Sequence, residues 1–113
     1  MTEPIKVGVT GDVPEDAGLL VPAAVTGTGA PISVFRCDGT FFAVDDTCTH
    51  EDASLAEGWV EDCQVECPLH GAAFDLRTGD VLCPPATRPV ATHAVEIRGD
   101  EVWLFPGTPA TGA

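Results

Sequence analysis

The chain has 113 residues, which is enough for one compact domain and too few for two. Its 44% hydrophobic and 20% charged residues are typical of a globular protein and not of a disordered chain. The formal net charge of −13 excludes nucleic acids and anionic membranes as partners, because phosphate groups bind basic surfaces. The same acidity suits docking onto basic patches of other proteins, although it would also serve solubility alone.

The sequence contains no apolar run near the roughly 18 to 20 residues that span a bilayer. The first residues carry no basic segment followed by an apolar stretch, so we expect no secretory signal and a soluble, cytoplasmic protein. Five cysteines is an odd number, and thiols stay reduced in the cytoplasm. The cysteines therefore predict metal binding in preference to disulfides.

Most of the chain outside its centre predicts strands and turns. Apolar and β-branched residues predict strands, and Asp38-Gly39 and Gly99-Asp100 each predict a hairpin turn between two of them. A proline at position 22 indicates an edge or a break in the second strand. The predicted strands are Ile5–Val9, Leu19–Val25, 31–36, 40–45, Thr92–Arg98 and Glu101–Phe105.

The centre of the chain, about 46–86, differs from its flanks. It is rich in Cys, His, Gly and Pro, which predicts loops built around something other than a hydrophobic core. Only 51–57 offers a short helical turn. The expected fold class is all-β, a small sandwich or barrel with a metal-bearing insertion.

Two short motifs in this centre carry metal-binding side chains. Cys48-Thr49-His50 and Cys67-Pro68-Leu69-His70-Gly71 each offer one thiolate and one imidazole, with sixteen residues between them. Zinc accepts Cys₂His₂, but zinc fingers usually pair Cys with Cys and His with His. Mixed halves make sense when two loops face each other across two iron atoms, with both Cys on one iron and both His on the other. A mononuclear zinc site and four unrelated loop residues are the alternatives.

The two motifs match the Rieske signature residue for residue. Flanking segments match as well: Asp45-Asp46-Thr47, Glu51-Asp52-Ala53 and Leu82-Cys83-Pro84-Pro85-Ala86. On these residues the chain resembles the Rieske ferredoxins of bacterial ring-hydroxylating dioxygenase systems. The likeness extends over about residues 5–105.

The resemblance implies a single Rieske domain over 1–113. Its antiparallel β-sandwich base domain would carry a small cluster-binding subdomain at about 46–86. One [2Fe–2S] cluster per chain would be held by Cys48, His50, Cys67 and His70. The histidines would lie at an exposed tip, with the Pro84-Pro85 loop over the cluster.

The resemblance also implies a carrier without catalytic residues. It would be a monomer that takes one electron from a flavin-dependent NAD(P)H reductase and passes it to a terminal oxygenase that attacks an aromatic ring. The alternatives are a small Rieske subunit of a nitrite-reductase-like or other oxidoreductase complex, and a redox-sensing module. The sequence specifies neither the aromatic substrate nor the reductase.

The high-potential branch of the Rieske family differs at diagnostic positions. That branch has a disulfide between its cluster loops, where this chain has Ala53 and Leu69. It also places a Ser and a Tyr near the cluster, where this chain has Ala72 and Phe74. Hydroxyls that donate to cluster sulfurs raise the reduction potential, so we expect a low potential here.

The remaining cysteines and tryptophans receive structural interpretations. We expect Cys37, Cys63 and Cys83 to be small, buried or half-buried thiols, with Cys83 the least certain because of its loop. Trp59 is expected to be a structural plug near the cluster loops, with a role in electron transfer as the alternative. Trp103 is expected to pack in the core, with an outward orientation as the alternative.

Overall fold

A computed structural model describes residues 4–47, 54–68, 72–83 and 89–108 of the chain. Within these ranges the strands form two antiparallel sheets, and none of the helices is long and apolar enough to cross a membrane. The strands are β1 (Ile5–Val9), β2 (Gly18–Val21), β3 (Ile32–Cys37), β4 (Thr40–Asp45), β5 (Trp59–Glu61), β6 (Gln64–Glu66), β7 (Ala73–Asp75), β8 (Val81–Cys83), β9 (Thr92–Arg98) and β10 (Glu101–Phe105). The helices are α1 (Ala23–Thr26) and two 3-10 helices, Thr10–Asp12 and Leu55–Glu57.

The larger sheet has six strands in the order β1-β10-β9-β4-β3-β2. Although β2 and β10 lie four places apart in this order, Val21 of β2 shares one hydrophobic core with Val102 and Leu104 of β10. The sheet must therefore fold over on itself to bury these side chains. This is the sandwich-like base that the sequence predicts.

Both predicted hairpins of the large sheet are confirmed. Between β3 and β4, Asp38 and Gly39 have φ angles of 52° and 73°, the two positive values that a type I′ turn requires. The Glu15 carboxylate accepts hydrogen bonds from the backbone N–H groups of both residues, at 3.1 and 2.6 Å. Between β9 and β10 the positive φ is at Gly99, 66°. Local turn chemistry therefore sets the register of both hairpins.

The smaller sheet, in the order β5-β6-β7-β8, occupies most of the segment for which the sequence predicted loops. That expectation was wrong because the strands have only three residues each, too few for a clear alternation in the sequence. Their inner face is apolar, and Val65 and Phe74 are fully buried. They pack against Phe35 of β3 in a second hydrophobic core.

Strand β3 separates the two cores. Ile32 and Val34 enter the core of the large sheet, whereas Phe35 and Cys37 enter the core between the sheets. A strand buried on both faces loses its polar alternation, and this one has only Arg36 partly exposed. The small sheet is thus attached to the large one through a strand that both sheets need.

Two predicted details of the large sheet are corrected. The second strand ends at Val21 and does not reach Val25, because Pro22 has no N–H for the ladder and instead precedes helix α1. Trp103 does not pack in the core. Its neighbours Val102 and Leu104 are fully buried, so the alternation of β10 turns the indole to the opposite face.

The expectation of isolated thiols at Cys37 and Cys63 was wrong, because the structure joins them in a disulfide. Cys37 ends β3, and Cys63 lies in the turn between β5 and β6, where Asp62 and Cys63 have φ angles of 52° and 58°. Their Cα atoms are 5.5 Å apart and both residues are 5% exposed. The bond therefore ties a hairpin of the small sheet to the large sheet. Cys83 is the last residue of β8.

We expect the Cys37→Ser/Cys63→Ser double variant to be less stable than the wild type by about 3 kcal/mol. A disulfide that closes a loop of this size restricts the unfolded chain by about that amount. Denaturant unfolding of both proteins under non-reducing conditions measures the difference, and mass spectrometry after alkylation counts the free thiols. Cys83→Ser is the matched control and should keep both the disulfide and the stability. Alkylation of both Cys37 and Cys63 in unreduced wild type would contradict the pairing.

Candidate metal centre

Of the four predicted ligands, Cys67 lies within the described residues, and Cys48, His50 and His70 lie outside them. Cys67 directly follows β6 and is 1% exposed. The alternation of β6 turns Val65 and Cys67 to the buried side and Gln64 and Glu66 to the exposed side. The thiol therefore belongs to the inner face of the small sheet.

The segment that carries His70 starts and ends at one point of the small sheet. The backbone N–H of Cys67 donates to the carbonyl oxygen of Ala72 at 2.7 Å, next to the paired residues Glu66 and Ala73. The second ligand motif is thus anchored on both sides by the ladder between β6 and β7.

The segment that carries Cys48 and His50 is closed in the same manner. Thr47 forms an antiparallel bridge with Ser54, and the N–H of Leu55 donates to the carbonyl oxygen of Asp46 at 2.7 Å. Residues 48–53 therefore leave and rejoin the described structure at one place.

The carboxylate of Asp46 holds this closure together. It is 4% exposed and accepts hydrogen bonds from the Ser54 hydroxyl at 2.8 Å, from the Ala56 N–H at 3.0 Å and from the Ser33 hydroxyl. Three donors offset the cost of burying a charge. The sequence indicated Asp46 only as part of a matching flank, because its donors come from two distant segments.

The two closures lie at the same end of the small sheet. The chain that leaves the first closure reaches Gly58, whose N–H donates to the carbonyl oxygen of Leu55 at 2.9 Å. A Cβ at Gly58 would overlap the carbonyl oxygen of Glu66, so a residue with a side chain cannot pass this close to β6. Trp59 then pairs with Glu66, one residue before Cys67.

The segment that contains Pro84-Pro85 also begins at this end of the small sheet. Cys83, the last residue of β8, pairs with Ala73 of β7. The Pro84-Pro85 segment that follows lies outside the described residues, as do Glu51, Asp52 and Gly71. The segments that contain the first ligand motif, the second ligand motif and Pro84-Pro85 therefore all begin at the same end of the strands of the small sheet.

This arrangement fits an iron–sulfur cluster. Two thiolates and two imidazoles would approach from two segments anchored side by side, which is the donor set of a Rieske centre. The predicted ligand Cys67 is buried against apolar residues of the inter-sheet core, as such a cluster needs on its inner side. When bound, the group would supply one-electron oxidation and reduction.

A buried histidine fixes the strand that leads into the first ligand segment. The Gly107 N–H donates to Nδ1 of His93 at 2.9 Å, so the Nε2–H donates to the Asp45 carboxylate at 2.8 Å. His93 is 6% exposed, so its ring packs inside the protein and does not lie on the surface. The neutral tautomer with hydrogen on Nε2 thus ties β9 to the end of β4.

Trp59 is not the structural plug that the sequence suggested. Its side chain lies on the outer face of β5 and is 62% exposed. The inner position on this strand belongs to Val60, which faces the buried Val65. Trp59 is therefore available to a partner molecule.

We expect Asp46→Asn to lose iron on purification and to lower the free energy of unfolding by about 2 kcal/mol. All three donors converge on Oδ1 of Asp46, and an uncharged amide oxygen in its place accepts weaker hydrogen bonds than a carboxylate oxygen does. Iron per chain and denaturant unfolding give the two readouts. The matched control is Asp16→Asn, an exposed residue with a positive φ that Asn also tolerates. Wild-type iron content and stability in Asp46→Asn would remove this role from Asp46.

Comparisons with known proteins identify the family of the chain. The family model of the Rieske [2Fe-2S] domain matches residues 3–94. The chain is 43% identical over 94 residues to the 3-phenylpropionate/cinnamic acid dioxygenase ferredoxin subunit of Shigella flexneri serotype 5b, which covers 82% of this chain and 84% of that protein.

Solved structures give the same result. A chain in the complex of reduced oxygenase and oxidized ferredoxin of carbazole 1,9a-dioxygenase superposes with a TM-score of 0.86 at 34% identity, covering 96% of this chain and 97% of that one. The carbazole 1,9a-dioxygenase ferredoxin of Nocardioides aromaticivorans IC177 gives 0.84 at 27% identity, covering 93% and 99%. This protein belongs to the Rieske [2Fe–2S] family, among the ferredoxins of ring-hydroxylating dioxygenase systems, and acts as an electron carrier.

Proposed function

We propose that this protein takes one electron from a flavin-dependent NAD(P)H reductase and delivers it to a terminal oxygenase that hydroxylates an aromatic ring. The observation that carries the proposal is the position of the ligand motifs. Both depart from closures at one end of the small sheet, in a chain 43% identical to a dioxygenase ferredoxin. A cluster held at this end of the sheet would give the electron a short path to a docked partner.

The proposal includes one [2Fe–2S] cluster per chain. Cys48 and Cys67 would bind one iron as thiolates, and His50 and His70 would bind the other as neutral imidazoles. The backbone bond between Cys67 and Ala72 would hold Cys67 in place.

The proposed carrier is a single Rieske domain over 1–113, with its cluster-binding subdomain at about 46–86. We expect it to work as a monomer in the cytoplasm, where NAD(P)H supplies the electrons. A disulfide is unusual there, and the 5% exposure of Cys37 and Cys63 would slow its reduction by small thiols. A permanent subunit of a larger oxidoreductase would instead copurify with its complex.

The first test is metal content and electron transfer. The purified protein should contain two irons and two acid-labile sulfides per chain, and it should carry electrons from a flavin-dependent reductase to an oxygenase from the same organism. His50→Ala and His70→Ala should lose the cluster. The control is His93→Ala, which should be less stable but keep both irons, because within the described residues the side chain of His93 bonds to Asp45 and Gly107. One zinc per chain in protein prepared with and without air would refute the proposal.

The second test is the reduction potential, which should lie near the lower end of the range of about −150 to +300 mV for Rieske centres. Ala72 and Phe74 are fully buried in the same core as Cys67, and neither carries a hydroxyl that could donate to sulfur. The net charge of −13 lowers the potential further, because a negative field disfavours an added electron.

Voltammetry of the wild type and of Ala72→Ser and Phe74→Tyr measures these effects, and each added hydroxyl should raise the potential. Ala43→Ser adds the same hydroxyl to a buried alanine in the other core and should leave the potential unchanged. A wild-type value well above about +100 mV would place the protein in the high-potential branch.

A further inference from the structure

The outer face of hairpin β9–β10 carries four side chains that satisfy one another. Trp103 lies opposite Glu96, and Glu101 lies opposite Arg98. The Arg98 guanidinium stands 4.7 Å from the centroid of the Trp103 ring, and its Nε donates to Glu96 at 2.8 Å. The Trp103 indole N–H donates to Glu101 at 3.1 Å. One cation thus occupies a site made by an aromatic ring and carboxylates.

The outer face of hairpin β5–β6 carries similar cross-strand pairs with two changes: its tryptophan lies on the first strand of the hairpin and not on the second, and it has no arginine. Trp59 lies opposite Glu66, as Trp103 lies opposite Glu96, and Glu61 lies opposite Gln64. The ring and the carboxylates are present, and the cation is missing.

These residues form an open groove of about 270 Å³, which we call the Trp59 groove. Its carboxylates have no cationic partner within the described part of the chain, because the basic side chains there pair with acids elsewhere. The groove is lined by Trp59, Glu61, Asp62, Gln64, Glu66 and Ala73. The pairs elsewhere are Lys6–Glu101, Arg36–Glu15, Arg77–Asp75 and Arg98–Glu96.

The charge of the groove selects its occupant. Three carboxylates would repel an anion, and an apolar occupant would cover them without neutralising them. A guanidinium or ammonium group satisfies the carboxylates and also stacks on the indole, and its desolvation strengthens both contacts. The groove is open, which suits a side chain that projects from another protein.

The groove also lies next to the ligand segments. The pair of Trp59 with Glu66 is the last rung of the ladder before Gly58 and Cys67. A protein seated on this rung would lie beside both closures, within reach of the cluster that the proposed function places there.

We propose that the Trp59 groove binds an arginine or lysine side chain of the terminal oxygenase, and so docks the oxygenase beside the cluster. This inference rests on the proposed function, because it needs the oxygenase as the bearer of the cation.

The test supplies the missing cation from the chain itself. The arginine of Gln64→Arg would lie on the groove wall, opposite Glu61 and on the same face as Trp59 and Glu66, so its guanidinium should occupy the groove and close it to a partner. The dissociation constants of the oxidised holoprotein with the oxygenase and with the reductase are measured by calorimetry. We expect Gln64→Arg and Trp59→Ala each to weaken binding of the oxygenase about tenfold, as loss of a central aromatic contact does. Trp59→Phe should keep most of the affinity.

The matched control is Asp100→Asn in the turn between β9 and β10. It changes the net charge by the same single unit as Gln64→Arg, and it should change binding less than twofold. Wild-type affinity of Gln64→Arg and Trp59→Ala for the oxygenase would overturn the inference, and so would a loss of affinity for the reductase alone. An equal loss in Asp100→Asn would also overturn it, because general charge would then be the cause. Failure of the wild type to pass electrons to the oxygenase would refute the proposed function instead.

Discussion

The apolar core between the two sheets is the constraint on which the rest of the structure depends. Phe35 and Val44 of the large sheet meet Val65 and Phe74 of the small sheet there, all fully buried. Three-residue strands cannot form a stable sheet alone, so the small sheet exists because its inner face is covered. The predicted ligand Cys67 takes its position from that sheet, and with it from this core.

The two faces of the small sheet have separate roles because side chains alternate along a strand. The inner face brings Cys67 into the core, beside Ala72 and Phe74. The outer face presents Trp59 and Glu66 to solvent. Neighbouring residues of one strand would thus serve the metal binding and the recognition that we propose.

Some carboxylates of this acidic protein pair with basic side chains, and others do not. In the large sheet, Lys6, Arg36 and Arg98 each pair with a nearby carboxylate. Within the described part of the chain, Glu61 and Glu66 of hairpin β5–β6 have no such pair with a basic side chain. A cationic side chain of a partner would therefore meet unpaired carboxylates on this hairpin, and attraction between exposed charges reaches about one Debye length, roughly 8 Å at physiological salt.

The sequence alone determined the features that depend on local chemistry. Asp38-Gly39 predicted its turn because few residues tolerate two positive φ angles, and the ligand motif predicted the family because few sites mix Cys and His in each half. The tertiary structure decided what depends on distant neighbours. Cys37 meets Cys63 and Asp46 meets Ser33 only after separate segments pack together. Whether Trp59 faced the core or the solvent depended on which side of a three-residue strand was covered, and a strand that short carries no periodicity to reveal it.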